Sequence, residues 1–255
     1  VAIPCDKQNL EQITTALRLI DCKGLNVTIP HKQDILKACK KLTLIANNIQ
    51  AVNTLIPEKN NQWIGANTDV EGFLMPLKNQ NLRNKNVVVI GCGGSARAVV
   101  MGLNSLIVKK ITVIGRSENS LNIFVNNMKR LSTKNRISIE GINYKKFNVT
   151  PYIKEADLIV NTTPIGMNSE INEVESIPLG HEIWNNLSSK SILYDLIYTP
   201  SPTNWLRIGN QKNCLTIDGL DMLVGQGALS IKLWSGLNSI PTKIMKSSAK
   251  KHLLV

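Results

Sequence analysis

A short, wholly apolar run at residues 87–90 ends in Gly91-Cys92-Gly93-Gly94-Ser95-Ala96, and a helical pattern follows over residues 95–106. No other feature of the chain constrains its fold as much. In a G-x-G-x-x-A pattern at a strand-to-helix junction the first glycine permits a tight turn. The second lets an anion approach the backbone, and the small sixth residue allows close helix–strand packing. The helix N-terminus then offers free N–H groups and positive dipole to a pyrophosphate. Residues 111–114, 158–161, 192–196 and 214–217 read as further strands, with a helix over residues 120–131. Strands alternating with helices predict a parallel, doubly wound α/β sheet of the Rossmann type.

The stretch before this unit is smaller and more broken. Residues 1–3 read as the end of a strand, and Leu10, Ile13, Leu17 and Ile20 recur at helical spacing over residues 10–19. A strand is expected at 24–29, halted by Pro30, then a helix over 32–41 that Lys32 begins. Residues 52–56 and 63–66 form an expected hairpin around Asn60-Asn61, and a helix follows over 69–77. Residues 79–86 are a polar linker. Near the C-terminus Leu220, Leu223, Val224, Gly227, Ile231 and Trp234 mark one face of a closing helix. The first unit is too small to close its own core, so this helix should fold back onto it. The expected organisation is residues 1–78 as a small α/β substrate domain, 79–217 as the nucleotide domain, and 218–255 as C-terminal helices completing the first.

Composition removes several classes of function. Hydrophobic residues make up 43% of the chain but aromatics only 4%; a core of Ile, Leu and Val suits buried parallel strands. The net charge of +12 comes from basic residues spread along the chain, with a solvated tail at Lys243–Lys251 as the nearest thing to a cluster. No aromatic residues interleave with them as a single-strand binder requires, so anionic small molecules are the expected ligands and no nucleic acid. Five cysteines form no C-x-x-C pair, which points to a reducing, cytoplasmic setting. No apolar run approaches the ~18–20 residues of a membrane span. Three scattered histidines, His31, His181 and His252, are assigned structural roles, and no metal site is expected.

The chemistry-bearing residues fall into two groups. About 20 residues after the glycine loop, where an NAD-binding chain places an acid for the ribose 2′-hydroxyl, stands Gly115-Arg116-Ser117. Arg116 can fork onto a 2′-phosphate and Ser117 can donate a hydroxyl. Charge-assisted bonds of ~1.5–3 kcal/mol each give at least about a tenfold preference for NADP(H). Glu118 opposes this only if it displaces Arg116 from the phosphate. Upstream, three strand ends carry small polar residues: Asn26-Val27-Thr28 with Pro30 and Lys32, Asn53-Thr54, and Asn67-Thr68-Asp69. An ammonium, a carboxylate and neutral hydrogen-bonding groups are the inventory of a site for a polyhydroxylated ligand. Beside a dinucleotide they suit hydride transfer. Ketone reduction needs a proton for the emerging alkoxide, and Lys32 is the candidate donor, oriented by Asp69. No Gly-x-Ser-x-Gly elbow supports a serine nucleophile.

Taken in order, these segments resemble the shikimate dehydrogenase family over nearly the whole chain. Asn161-Thr162-Thr163-Pro164-Ile165-Gly166-Met167, Tyr194-Asp195-Leu196-Ile197-Tyr198 and Gly219-Leu220-Asp221-Met222-Leu223 with Gln226 add to the likeness. The resemblance implies reversible NADP-dependent reduction of 3-dehydroshikimate to shikimate in aromatic amino-acid biosynthesis. It implies Lys32 and Asp69 as the catalytic pair, with Thr28, Asn53, Tyr198 and Gln226 at the substrate. Gly91, Cys92, Gly93, Gly94, Ser95, Arg116, Ser117, Thr162, Leu196 and Gly219 would meet the cofactor. The protein is expected to be a monomer or homodimer. Two departures stand out. The family's opening strand and helix, with a Ser-x-Ser motif for the substrate carboxylate, have no counterpart here, so the sequence is expected to be a fragment lacking them. Cys92 stands where the family usually has alanine. A quinate/shikimate dehydrogenase of broader specificity, or a non-catalytic NADP-binding module, are the alternatives; retention of Lys32, Asp69 and Gln226 speaks against the module.

Overall fold

A computed structural model describes residues 1–132, 137–167 and 175–253. Its strands form two sheets. The first has four strands in the order β1-β3-β4-β2: β1 (Leu25–Asn26), β2 (Lys41–Leu42), β3 (Thr54–Glu58) and β4 (Gln62–Ala66). β3 pairs antiparallel with both β1 and β4, while β2 runs parallel to β4. The β3–β4 hairpin turns at Asn60 and Asn61, both with positive φ, the backbone that a two-residue hairpin of matching twist demands. Leu10, Ile35, Ala46, Val52, Leu55 and Trp63 form its core.

Several expectations for this region are corrected. Residues 1–3 pair with no strand. The strand at 24–29 shrinks to β1: the Val27 N–H still reaches the Asn53 carbonyl at 2.7 Å, then the chain turns and the His31 N–H bonds the Thr28 carbonyl. The helix at 32–41 is one tight turn, Asp34–Ala38, because the Lys40 N–H bonds the Trp63 carbonyl and draws the chain into β2 at the sheet edge. Helix α1 (Leu10–Leu19) forms as expected but buries Leu10, Thr14 and Arg18, leaving Ile20 exposed. The Thr14 hydroxyl bonds the Leu10 carbonyl, and the Arg18 guanidinium lies 5.2 Å from the Trp63 ring centre and donates to the Cys22 carbonyl, although its Nε is left without a hydrogen-bond partner. A helix with no counterpart in the sequence reading, α2 (Leu44–Ile49), is capped by Thr43 and ended by Gln50 in the left-handed region. Helix α3 (Asp69–Leu74) continues into a tight turn at Met75–Leu77 around Pro76.

The second sheet has six parallel strands: β5 (Asn86–Ile90), β6 (Lys110–Gly115), β7 (Ser138–Asn143), β8 (Leu158–Asn161), β9 (Ile192–Asp195) and β10 (Leu215–Ile217). Their order is β10-β9-β8-β5-β6-β7. The chain winds outward from β5 to β7, then returns to β8 on the other side and winds away. The crevice above the carboxyl ends of β5 and β8 is therefore the topological switch point, where ligands bind in such sheets. Along β5, Val87 and Val89 enter one core and Val88 and Ile90 the other, the alternation of a strand buried on both faces. Helices α4 (Gly94–Ser105), α5 (Glu118–Ser132), α6 (Thr150–Glu155) and α7 (Asn204–Gln211) connect the strands. The sequence reading did not identify β7, α6 or α7.

Helix α8 (Leu220–Ser235) returns to the first sheet as expected. It lies close against α3: a Cβ on Gly72 would stand 2.9 Å from the Met222 carbonyl oxygen, and one on Gly225 would strike the Met75 sulfur at 2.2 Å. At its far end the Trp234 indole N–H donates to the Leu55 carbonyl at 2.9 Å. A last helix, α9 (Thr242–Leu253), buries none of its residues. No helix among the described residues is long and apolar enough to cross a membrane.

Candidate active site

Lys32 stands in the turn after β1, where its carbonyl accepts the Val52 N–H at 2.8 Å and so ties the turn to the segment leading into β3. Its Nζ donates to Asp69 Oδ2 at 2.7 Å, with the two side chains only 12% and 5% exposed. A charge pair this deep loses most of its hydration and survives only when its remaining hydrogen-bonding capacity is met. Here it is met. The other carboxylate oxygen, Asp69 Oδ1, accepts from Asn53 Nδ2 at 2.8 Å, and the Asp69 N–H donates to Asn67 Oδ1. Asn53 is fixed in turn by the Thr68 N–H on its Oδ1 at 2.8 Å, and its Nδ2 reaches Gln226 Oε1 on α8 at 3.3 Å. Two segments distant from Asp69 in sequence thus meet on its carboxylate, and a third, α8, reaches Asn53 behind them. Lys32 Nζ also donates to Ser95 Oγ at 3.3 Å, which joins the network to the glycine loop.

Beside Lys32 a cleft of about 450 Å³ opens over the switch point, lined by Ile29, Pro30 and Lys32 on one side and by the glycine loop, Arg116, Ser117 and Thr162 on the other. Gly91 has φ +105°, and a Cβ there would meet Thr162 Oγ1 at 2.5 Å. Nothing lies within 4 Å of where a Gly93 Cβ would be, so that backbone is open to a ligand. A Cβ on Gly94 would touch the Lys32 Cβ at 3.0 Å; the loop and the ammonium-bearing turn are in contact. Cys92 is half-buried, and burial pushes its thiol up against the lowering pull of Arg97 and Arg116. The Thr162 hydroxyl is committed to the Ile90 carbonyl at 2.7 Å. Ser117 Oγ accepts the Ser120 N–H, capping α5 and leaving its own proton to donate.

The remaining expected site residues lie outside these two groups. Thr28 is exposed and Tyr198 half-buried, and neither bonds to the Lys32–Asp69–Asn53 network. Leu196 packs on the core rather than lining the cleft. Gly219 sits behind it: its N–H donates to the Ile197 carbonyl at 2.9 Å, and a Cβ would stand 2.1 Å from the Leu196 carbonyl oxygen. A buried group at the ends of β8 and β9 escaped the sequence reading. Asp195 accepts from Asn161 Nδ2 at 3.0 Å, the Ile197 N–H at 3.2 Å and the Thr203 hydroxyl at 2.8 Å. Burial nevertheless pushes its carboxyl up to about 7. Asn161 and Asp195 both stand in segments that carry the family likeness, but the local signal of their pairing is only a polar residue closing each of two apolar strands. Ser230, also missed, sits one helical turn after Gln226 and bonds Asn26 and Thr54 at 2.9 Å each.

A doubly wound sheet with an anion-ready glycine loop, and a buried ammonium–carboxylate pair at its lip, define a nucleotide-dependent oxidoreductase. Comparison with known proteins narrows the class. Residues 1–55 match the shikimate dehydrogenase substrate binding domain and residues 219–250 the shikimate 5′-dehydrogenase C-terminal domain. A shikimate dehydrogenase (NADP(+)) of Prochlorococcus marinus (strain MIT 9515) is 46% identical over 253 residues, 99% of this chain and 87% of that protein. Among solved structures, a shikimate dehydrogenase in complex with NADP+ superposes with a TM-score of 0.84 at 30% identity, covering 99% of this chain and 84% of the other. A quinate dehydrogenase from Corynebacterium glutamicum in complex with NAD gives 0.82 at 25% identity, over 95% and 82% of the two chains. The chain belongs to the shikimate dehydrogenase family.

Proposed function

We propose that this protein catalyses the reversible, NADPH-dependent reduction of 3-dehydroshikimate to shikimate, a step of aromatic amino-acid biosynthesis. The observation that carries the reading is the position of Lys32 Nζ, 2.7 Å from Asp69 and 3.3 Å from Ser95 of the glycine loop. A proton donor stands at the seam between a nucleotide crevice and a polar, hydroxyl-matching site. The residues fit the dinucleotide: Gly93 leaves room for a pyrophosphate at the N-terminus of α4, and the exposed Arg116 forms no hydrogen bond or ion pair with any other described residue. When bound, NADPH supplies the hydride.

In this reading the protein's own part is to bind, orient and move a proton. Lys32 gives its Nζ proton to the ketone oxygen as charge develops there, and takes it back in the reverse direction. A positioned acid of this kind contributes ~10²–10⁴ in rate. Asp69 holds the ammonium in place, and Asn53 and Gln226 present amides to substrate hydroxyls, with Thr28 and Tyr198 at the substrate's edge. Gly91, Cys92, Gly93, Gly94 and Ser95 hold the pyrophosphate, Arg116 and Ser117 the 2′-phosphate, and Thr162 lines the nicotinamide end, with Leu196 and Gly219 supporting that end from behind the cleft wall. Residues 1–78 with 218–255 form the substrate-binding part and 79–217 the nucleotide-binding part. The test is consumption of NADPH by the protein with 3-dehydroshikimate and, separately, with 3-dehydroquinate. Turnover should be strong with the first and much weaker with the second. Comparable rates would mean a broader quinate/shikimate enzyme, and tight NADPH binding with no turnover of either would mean a binding module.

A further inference from the structure

Glu118 is the acid that threatens NADP selectivity. It stands two residues after Arg116 and opens α5, where a helix N-terminus favours a carboxylate. From there a free carboxylate could fork with Arg116, or accept the ribose 2′-hydroxyl as the acid of an NAD site does. Either would weaken the grip on a 2′-phosphate. The structure gives it another partner: Lys146 Nζ donates to Glu118 Oε2, both side chains being more than half exposed. Arg116 is left with no acidic partner among the described residues.

The position of Lys146 is set by the sheet. β7 lies beside β6 with Asn143 opposite Gly115, and the Tyr144 N–H bonds the Gly115 carbonyl at 3.2 Å. A tight turn follows, in which the Lys145 N–H bonds Asn143 Oδ1 and the Lys146 N–H bonds the Asn143 carbonyl, each at 3.0 Å. Tyr144 itself lines the cleft, together with Arg116, Ser117 and Ser120. The turn thus brings Lys146 to Glu118 at the start of α5.

We propose that Lys146 is a positioning residue for cofactor selectivity, holding the Glu118 carboxylate aside so that Arg116 meets the 2′-phosphate unopposed. The proposal rests on the NADP reading above. Because the pair is exposed, the expected effect is several-fold and not larger.

The test measures KM for NADP and for NAD in the wild type, Lys146→Met, Glu118→Gln, the double variant and Arg116→Ala. Lys146→Met should lower the NADP-over-NAD preference roughly two- to fivefold, raising KM for NADP while KM for NAD stays or falls. In the Glu118→Gln background the same substitution should do almost nothing, since there is no carboxylate left to restrain. An undiminished effect in that background would overturn the proposal, because Lys146 would then touch the phosphate directly. So would an unchanged preference in Lys146→Met when Arg116→Ala loses it. An Arg116→Ala protein that keeps its preference would instead sink the clamp on which both readings stand.

Discussion

The two sheets solve the problem of holding a ligand in opposite ways. The six-stranded sheet is a ladder of parallel strands with an apolar interior on both faces, and its proposed ligand groups sit on the turns that end those strands. The four-stranded sheet includes two strands of only two residues, and its proposed ligand groups lie on loops. What holds those loops is a buried web of side-chain hydrogen bonds among Asn53, Thr54, Thr68, Asp69, Gln226 and Ser230. A backbone ladder sets position through registers that few side chains can disturb. A side-chain web sets it through partners that must all be present, since each buried polar group left unpaired costs about 1–3 kcal/mol. The web should therefore be the more fragile half and the one closer to the chemistry.

The largest effect expected from this contrast is at Lys32. Lys32→Ala removes the proton donor and strands a buried carboxylate, so turnover should fall by roughly 10²–10⁴, while NADPH affinity, set by the other half, changes little. Paired measurements of kcat and NADPH dissociation check this; equal losses in both would mean that the two halves fail together. Next comes the joint between the halves. Gly219→Ala forces a Cβ to within 2.1 Å of the Leu196 carbonyl oxygen, a clash with backbone that no rotamer relieves. About 3 kcal/mol of stability should go, read as a lowered Tm with or without ligands. An unchanged Tm would show that α8 enters its place with more freedom than its packing implies.

A smaller effect belongs to the ladder-built half. Arg116→Ala should shift the preference toward NAD by about tenfold or more and leave kcat at saturating cofactor nearly unchanged, as steady-state kinetics with both nucleotides would reveal. A large fall in kcat would contradict the division of labour. A last effect, small over any one pH unit and silent in the chemistry, concerns Asp195. The unfolded chain releases its proton near 3.8 and the folded chain near 7. Between those values the folded state holds the extra proton, so this group's contribution to stability falls as pH rises, by about 1.4 kcal/mol per pH unit at most. Asp195→Asn retains the hydrogen-bonding shape and should abolish that slope in denaturant titrations run from pH 4 to pH 7. A variant whose stability tracks the wild type at every pH would show that the three donors keep the carboxylate charged.

How legible each half was follows the same division. β5, β8 and the glycine loop were plain because apolar runs bounded by glycine or polar residues state their own ends. β7 was not, since Ser138–Asn143 mixes a serine, a glutamate and a glycine into an edge strand that needs apolar residues on one side only. α6 and α7 were hidden by short length and by Pro151 and the prolines ahead of Asn204. Beside the first sheet, the helix over residues 10–19 was placed correctly and Leu10 and Leu17 of its expected face meet the core, but Ile20 does not and the buried face is wider than expected. Periodicity counts apolar residues, whereas the buried positions include Thr14 and Arg18, whose polar groups find partners only in the folded chain.

From the sequence alone came the strand–loop–helix grammar of the nucleotide site, the pairing of Arg116 and Ser117, and the identity of Lys32 and Asp69 as groups worth bringing together. Those are local facts, carried by residues adjacent in the chain or by a motif at fixed spacing. Folding decided that 37 residues of separation close to a 2.7 Å contact, that α8 returns to complete the web, and that Glu118 turns to Lys146. Each of these depends on which distant segment arrives to satisfy a buried or charged group, and no local pattern encodes that choice.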